Sequence, residues 1–185
     1  MKRFLVSLTF CLAGLASFAQ QKGDVALGFN FGVAPIVENH ASTTNFGLGA
    51  KFRYNVSNPV RLEANFGYWF KSNTFDIIDL SANVHYVFKV GNKFNIYPLV
   101  GVGYARVNSS IGGAVEDVLE ESFDWYNDDD VEINASTGFN RLLVNVGVGA
   151  EYAVTDKLSL GVEIKYQYLK DFSRLPINLG LAYKF

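Results

Sequence analysis

Cysteine is nearly absent from this sequence of 185 residues, and the only one, Cys11, lies close to the amino terminus. The chain after it therefore has no thiol for a disulfide, for redox chemistry or for a cysteine-based metal site. Histidine is scarce too, with two residues, so acid–base chemistry near neutral pH has few candidates. Beyond the amino terminus, no apolar run approaches the roughly 20 residues of a membrane-spanning helix.

The one long apolar run lies at the amino terminus and has the organisation of a secretory signal peptide. Two basic residues precede an apolar stretch over residues 4–16 and a small-x-small cleavage site at residues 17–19. We predict a signal peptide over residues 1–19 and a single domain over residues 20–185.

Positive charge is missing from one long stretch of the chain. No Lys or Arg occurs between Arg106 and Arg141, whereas nine of the eighteen Asp and Glu residues fall between Glu116 and Glu132. The formal net charge is −2, and no basic stripe is present to neutralise phosphates, which argues against a nucleic-acid partner. We predict that residues 108–138 form a long acidic loop.

Alternation of apolar and polar residues is what the sequence does have. Segments of about ten residues end in breaks rich in Asn, Asp, Ser, Gly or Pro. Successive side chains of a strand point to opposite faces, so each segment has one apolar face and one small or polar face. The pattern predicts eight strands, near residues 23–34, 45–56, 60–71, 76–88, 94–107, 139–154, 158–169 and 175–185.

The connections between these strands alternate in length. Tight turns are predicted at residues 57–59, 91–93 and 155–157, and the other connections are longer or irregular. Short turns on one side, longer loops on the other and an even strand number are typical of bacterial outer-membrane barrels with periplasmic termini. The last predicted strand has a wholly apolar face and ends on the aromatic Phe185.

These features resemble the small eight-stranded barrels of the Gram-negative outer membrane, the porin family and the OmpX-like and OmpA-like proteins. The resemblance implies an all-β, antiparallel, up-and-down transmembrane β-barrel in the cell outer membrane, in contact with lipid and lipopolysaccharide. It also implies that the outer-membrane assembly machinery recognises the last strand through Phe185. The resemblance covers nearly all of the chain after the predicted signal peptide.

A soluble lipocalin-like barrel would show the same alternation with its apolar face inward. Here the polar face is rich in glycine, which weakens strand interiors but leaves room for Lys and Arg side chains in a narrow lumen. Aromatic residues collect near both ends of the apolar face, as in the interfacial girdles of a membrane barrel. We therefore expect the polar face inside, with a lumen network formed by Lys51, Arg53, Arg61, Glu63, Asp79, His85, Glu151, Glu163, Lys165 and Lys184.

Inward charges of both signs can pair, which offsets the cost of burying them. An eight-stranded barrel is only about wide enough for its own side chains, which favours a polar plug. A narrow passive channel for ions or small solutes is the alternative. Four bulky residues also stand on the polar face, and we interpret them as fillers near the lumen ends: Trp69, Tyr97, Leu99 and Leu143.

Candidates for catalysis are few. His40 lies in the first predicted loop close to Glu38 and Ser42, and some small outer-membrane barrels are lipid A-modifying enzymes that use a Ser/His/acid set. Residues this close along a loop rarely hold a nucleophile–base geometry. We expect no enzyme, with an outer-leaflet lipid-modifying activity as a remote alternative. We interpret His85 as a hydrogen-bonded lumen residue beside Asp79 and Asn83.

The acidic loop is the most distinctive functional feature of the sequence. Asp128, Asp130, Glu132 and Asn134 alternate like the oxygen ligands of Ca²⁺, but Ile133 stands where an EF-hand loop needs Gly. The other interpretation is a solvated, self-repelling loop, and we predict no metal site and no cofactor. The predicted function is a non-enzymatic barrel with a plugged lumen that supports envelope integrity and presents external loops for adhesion or ligand contact.

Overall fold

The computed structural model describes residues 22–37, 44–72, 75–109, 137–170 and 173–185. Their strands are Val25–Pro35 (β1), Thr44–Asn55 (β2), Val60–Ser72 (β3), Phe75–Tyr86 (β4), Phe88–Val90 (β5), Phe94–Ser109 (β6), Thr137–Ala153 (β7), Leu158–Leu169 (β8) and Ile177–Lys184 (β9). No helix in this part of the chain is long and apolar enough to cross a membrane.

The strands form one antiparallel sheet that closes on itself. Its spatial order runs from β4 through β3, β2 and β1 to β9, β8, β7 and β6, and β6 pairs in turn with β4. The short β5 continues the line of β4 along β6. The result is a closed barrel of eight antiparallel strands, which confirms the predicted fold class.

One strand of the barrel is interrupted at Val87, between β4 and β5. The backbone N–H of Val87 donates to the carbonyl oxygen of Pro59 on the β3 side at 2.7 Å, so the backbone of Tyr86 faces β6. The register on either side places Pro98 opposite Tyr86. Proline has no N–H to donate, so one hydrogen bond of the β4–β6 ladder is missing here.

Short turns of three or four residues lie at one end of the barrel. At the other end three connections are longer, and the fourth has only two residues and follows a register shift between Trp69 and Ser72. We call these two ends the turn end and the loop end. The turn end carries the connections 56–59, 91–93 and 154–157. The loop end carries the connections 36–43, 73–74, 110–136 and 170–176.

The two faces of the sheet have opposite polarity, and the polar face is inside. Outward-facing side chains are mostly large, apolar and exposed, as for Phe29, Leu80, Val102 and Leu142. Most of the buried side chains among the described residues are charged or amide groups that face the lumen. A soluble barrel needs the reverse arrangement, because burial of apolar surface drives its folding.

Two inward-facing glycines leave room for aromatic rings. A Cβ atom on Gly149 would overlap the ring of Tyr97, and a Cβ atom on Gly47 would overlap the ring of Trp69. A larger residue at either position would displace the ring, since protein interiors hold little spare space. This packing gives a physical reason for glycines on the inner face.

Inside the loop end, the lumen is apolar rather than polar. A cluster of buried side chains from β1, β3, β4, β6, β7 and β8 fills it, which we call the apolar cap: Ala34, Trp69, Ile77, Ala105, Val107, Leu143 and Leu169. A second small cluster joins Val87, Tyr97 and Leu99 nearer the turn end. Trp69 and Leu143 lie near a lumen end, as the sequence predicts for bulky inward residues. Tyr97 and Leu99 do not, because Tyr97 donates to Glu163 Oε2 at 3.2 Å and Leu99 lies opposite His85, both in the charged network.

Candidate functional site: the charged lumen

The candidate site is the charged network inside the barrel. Alternate positions of five strands supply its side chains, because every second residue of a strand points inward. Nine of the ten predicted members are buried there: Lys51, Arg53, Arg61, Glu63, Asp79, His85, Glu151, Glu163 and Lys165.

Five of these side chains meet in the middle of the lumen, and we call them the central cluster. Lys51 Nζ lies 2.8 Å from Glu163 Oε1 and 3.8 Å from Glu63 Oε2. Arg53 Nε donates to Glu63 Oε2 at 2.9 Å, and Lys165 Nζ lies 3.1 Å from Glu163 Oε1. Three cationic groups therefore face two carboxylates, which leaves one positive charge in excess when all are ionised.

Nearer the turn end, Glu151 lies between two guanidinium groups. Its Oε2 accepts from Arg53 Nη1 at 2.8 Å and from Arg61 Nη1 at 3.1 Å. Arg53 contacts Glu63 as well, so it joins the Glu151 group to the central cluster. These bonds connect β2, β3 and β7 across the lumen.

His85 contacts Arg61 rather than the neighbours that its own strand offers. The sequence suggests Asp79 and Asn83, which share its face of β4. The register instead sets Arg61 opposite His85, and Arg61 Nε donates to its Nδ1 at 3.2 Å. The His85 ring also stacks on Tyr97, with centroids 4.7 Å apart. A residue directly opposite on the next strand is a close neighbour, and the register is what reveals it.

Toward the loop end, Asp79 pairs with Arg174, a residue that sequence reasoning missed. Arg174 Nη2 lies 2.6 Å from Asp79 Oδ2, and its Nε donates to Gln167 Oε1 at 2.7 Å. The guanidinium lies over Trp69, 4.7 Å from the ring centroid, and Trp69 Nε1 donates to Asp79 at 2.7 Å. Arg174 follows β8 in a connection where alternation has stopped, so no periodicity marks it as an inward residue.

Amide side chains complete the inner surface. Asn83 Nδ2 donates to Glu63 Oε1 at 3.2 Å, and Asn145 Nδ2 donates to Asn83 Oδ1 at 2.8 Å. On the opposite wall, Asn30 Nδ2 donates to Asn178 Oδ1 at 3.2 Å. Their position on the polar face already places them inside, although the sequence does not tell which amide meets which partner.

Lys184 is the predicted member that lies apart from the network. Its Nζ is 3.4 Å from Asp24 Oδ2 at the turn end, and 34% of its side chain stays exposed. Lys184 therefore belongs to the rim of the barrel, where a partly exposed ion pair contributes little stability.

Three possible metal ligands approach one another inside the lumen. One ligand atom each of Glu63, His85 and Glu163 lies within 4.8 Å of the others. Lys51 already contacts both carboxylates, so a divalent cation would compete with an ammonium group in the same place. We therefore assign no metal to this group.

Several predicted features fall outside the described residues. The signal peptide over residues 1–19 and most of the acidic loop do so, and they stay predictions. The same holds for the candidate residues of the two loops, which are Glu38, His40, Ser42, Asp128, Asp130, Glu132 and Asn134.

Comparison with known proteins agrees with this architecture. A family model described as "Outer membrane protein beta-barrel domain" matches residues 4–185. No curated protein sequence matches the chain significantly.

Solved structures with the same fold are distant in sequence. Neisserial surface protein A is 16% identical with a TM-score of 0.64, over 88% of this chain and 96% of that chain. Ail, the attachment invasion locus protein of Yersinia pestis, is 16% identical with a TM-score of 0.60, over 89% and 100%. The N-terminal β-barrel domain of Pseudomonas aeruginosa OprF is 16% identical with a TM-score of 0.56, over 90% and 100%. At this identity the similarity shows the fold alone.

Proposed function

The chain belongs to the family of outer membrane protein beta-barrel domains, and from this premise we propose a non-enzymatic protein with a sealed lumen. Membership places it in the cell outer membrane, in contact with lipid and lipopolysaccharide. In this role the barrel supports the envelope, and its external loops are available for adhesion or ligand contact.

The observation that supports a sealed lumen is the filling of the barrel by its own side chains. From the loop end, the apolar cap is followed by the Asp79–Arg174 pair, the central cluster and the Glu151 group. Lys51 reaches from β2 to Glu163 on β8. Opening such a layer would leave buried charges uncompensated, at about 3–5 kcal/mol for each broken pair.

We infer that the turn end faces the periplasm and the loop end the exterior. Periplasmic turns are short and extracellular loops longer in bacterial outer-membrane barrels. In this orientation Phe185, which follows β9 at the turn end, faces the periplasm. Its ring packs edge-on against Tyr183 with centroids 5.5 Å apart. We infer that the assembly machinery recognises this aromatic end of the last strand.

The acidic segment 108–138 would then be the longest external loop. It holds nine Asp and Glu residues between Glu116 and Glu132 and lacks Lys and Arg, so a partner should carry positive charge or be bridged by divalent cations. Ail has been solved in complex with the heparin analogue sucrose octasulfate, which is a polyanion. We expect the opposite charge preference for this loop.

Replacing residues 110–136 with a short Gly-Ser loop tests the role of the acidic segment. We expect the barrel to fold, shown by heat-modifiable gel mobility, and cells that display it to lose adhesion to a polylysine-coated surface. A second variant keeps the loop length and changes its nine Asp and Glu residues to Asn and Gln. We expect this variant to lose adhesion as well, because its loop carries no negative charge. If adhesion survives in both variants, the acidic loop is not the working part.

A narrow channel and a lipid-modifying enzyme are the alternatives. Removing the charges of Arg53, Glu63 and Glu151 one at a time separates plug from channel: a plug loses stability or begins to leak, and a pore changes its ion selectivity. For the enzyme, we expect His40→Ala to leave the lipid A mass spectrum of the cells unchanged.

A further inference from the structure

Two grooves lie side by side on the outer surface of the barrel, on the side formed by β6, β7, β8, β9 and β1. The first has a volume of about 650 Å³ and the second a volume of about 370 Å³. Both are lined mostly by outward apolar side chains, and they adjoin because Ala150 and Val162 line both. We call the two together the double groove, and it lies in the surface that faces the membrane.

Strand register explains the course of the first groove. It lies between two rows of outward side chains, and the members of each row face one another across neighbouring strands. The lower row is Tyr152, Leu160, Leu181 and Phe29. The upper row is Ala150, Val162, Leu179 and Phe31.

The strands of a barrel are staggered, so the first groove climbs from the turn end toward the middle of the barrel. Tyr152 is the last residue but one of β7 at the turn end, whereas Phe29 is the fifth of the eleven residues of β1. From β7 to β1 the groove crosses three strand spacings of about 4.8 Å, or about 14 Å. One leaflet of a bilayer has a similar depth, as half of a hydrocarbon core of about 30 Å. The groove therefore has the length of an acyl chain whose polar end lies at the turn end.

The two grooves meet at Ala150, where a small side chain lies between larger ones. Ile96 and Val162 are its partners on the two neighbouring strands. Ala150 is half-buried between them, whereas the outward alanines Ala64 and Ala82 are exposed. The second groove lies above this row, between it and a further row formed by Pro98, Val148 and Ile164. Two adjoining grooves with a low ridge between them fit the two chains of one lipid.

Ammonium groups lie at the end of the double groove that is nearest the turns. Lys157 Nζ lies 5.7 Å from the centroid of the outward Tyr183 ring, a cation–π contact that keeps it beside the outer surface. Lys93 is exposed and directly precedes Phe94, which lines the first groove. In the turns 91–93 and 154–157, Asp156 supplies the one carboxylate against these two cations. The turns therefore carry an excess positive charge, which attracts anionic lipid headgroups.

We propose that the double groove binds one phospholipid, with an acyl chain in each groove and its phosphate at Lys157 and Lys93. The apolar walls suit the chains, and the lysines at the turn end suit the phosphate. In the orientation inferred above, this lipid belongs to the periplasmic leaflet. The site uses only the outer surface of the barrel, so it is independent of a sealed lumen.

Native mass spectrometry of the refolded protein in detergent, with palmitoyl-oleoyl phosphatidylglycerol added, tests the site. We expect one lipid to stay bound to the parent protein. Ala150→Trp should remove most of the bound lipid, because the indole ring takes the space of the chains where the grooves meet. The matched control is Ala82→Trp, which adds the same ring at an exposed outward position of β4, outside the double groove, and should keep the lipid.

A comparison of two lipids tests the lysines. Lys157→Gln and Lys93→Gln should each lower the bound fraction of phosphatidylglycerol without abolishing it, because exposed ion pairs are weak. Neither substitution should change the binding of diolein, which has two acyl chains and no phosphate. Lys170→Gln makes the same charge change at the loop end and should leave the binding of both lipids unchanged.

Heat-modifiable mobility confirms that each variant has folded. Should Ala150→Trp fail to fold, Ala150→Leu fills part of the same space and should also lower the bound fraction. Equal retention of phosphatidylglycerol by the parent protein and a folded Ala150 variant would overturn the proposal. So would lysine substitutions that leave phosphatidylglycerol binding unchanged, or lipid A that displaces the phospholipid. A dimer that dissociates in Ala150→Trp would assign the double groove to a second copy of the chain and overturn it as well.

Discussion

Arg174 is fully buried, and Asp79 is the carboxylate that compensates its charge, at 2.6 Å. Asp79→Asn keeps the shape of the side chain but leaves the guanidinium without a counter-charge. We expect the free energy of unfolding to fall by about 3–5 kcal/mol, because removing one partner of a buried pair leaves the charge of the other uncompensated. Urea titration of the refolded barrel in lipid vesicles, followed by gel mobility, measures this change.

The matched control is Asp156→Asn in the exposed turn 154–157. Surface substitutions away from buried networks change stability by about 0.5 kcal/mol, so the loss should stay below about 1 kcal/mol. Equal unfolding midpoints for the two variants would show that the Asp79–Arg174 pair does not hold the loop end together.

Gly149 faces the ring of Tyr97 inside the barrel. A Cβ atom there would overlap the Tyr97 ring, which cannot easily turn away because His85 stacks on it and Arg61 lies 4.6 Å from its centroid. We expect Gly149→Ala to lower the free energy of unfolding by about 1–3 kcal/mol through overpacking. The same urea titration measures it.

Gly161→Ala is the comparison, since its nearest atom would be a carbonyl oxygen at 3.3 Å. We expect it to change stability far less than Gly149→Ala. If both variants lower the free energy of unfolding by the same amount, contact with the Tyr97 ring does not explain why glycine stands at residue 149.

At the scale of the elements, Pro98 interrupts the ladder between β4 and β6. Pro98→Ala restores a backbone N–H opposite Tyr86, and one further ladder hydrogen bond should add about 0.5–1.5 kcal/mol to the free energy of unfolding. Hydrogen exchange should then show protection of the new amide at residue 98. Val100→Ala trims a neighbouring outward side chain without adding a donor, and it should bring no such gain. An unprotected amide at residue 98 would contradict this account.

Sequence periodicity predicts most of the elements. The eight predicted strands match those of the barrel within about two residues at each end, taking β4 and β5 together, because alternation stops where a strand leaves the barrel. The split at Val87 was not predicted, since it depends on which residue Pro98 faces across the sheet. Registers of this kind follow from pairing, which a single strand does not encode.

For the site too, alternation along one strand predicts which side chains face inward, whereas pairing between strands decides which of them meet. Parity alone places Lys51, Glu63 and Glu163 inside the barrel, because the inward face of each strand is readable. Parity does not reveal that His85 meets Arg61, which is a consequence of register. It also misses Arg174, because this residue enters the lumen from a connection in which no alternation is present.

At the scale of the whole molecule, the barrel reverses the polarity of a soluble protein. Its outer surface is apolar and exposed, as contact with the hydrocarbon core of a bilayer requires. Its interior is held by ion pairs and amide hydrogen bonds that join strands far apart in sequence, as Arg53 and Glu151 do. In the function we propose, the side chains that join the strands across the lumen are also the barrier to passage through it.

Single-channel conductance of the refolded protein in a planar bilayer tests this central claim most directly. Heat-modifiable mobility of the same sample confirms that the barrel has formed. The sealed lumen predicts a folded barrel that shows no discrete openings, while a variant that removes the Glu63 or Glu151 charge begins to leak. Reproducible openings of the unmodified protein would contradict the account and make the charged lumen an ion pathway.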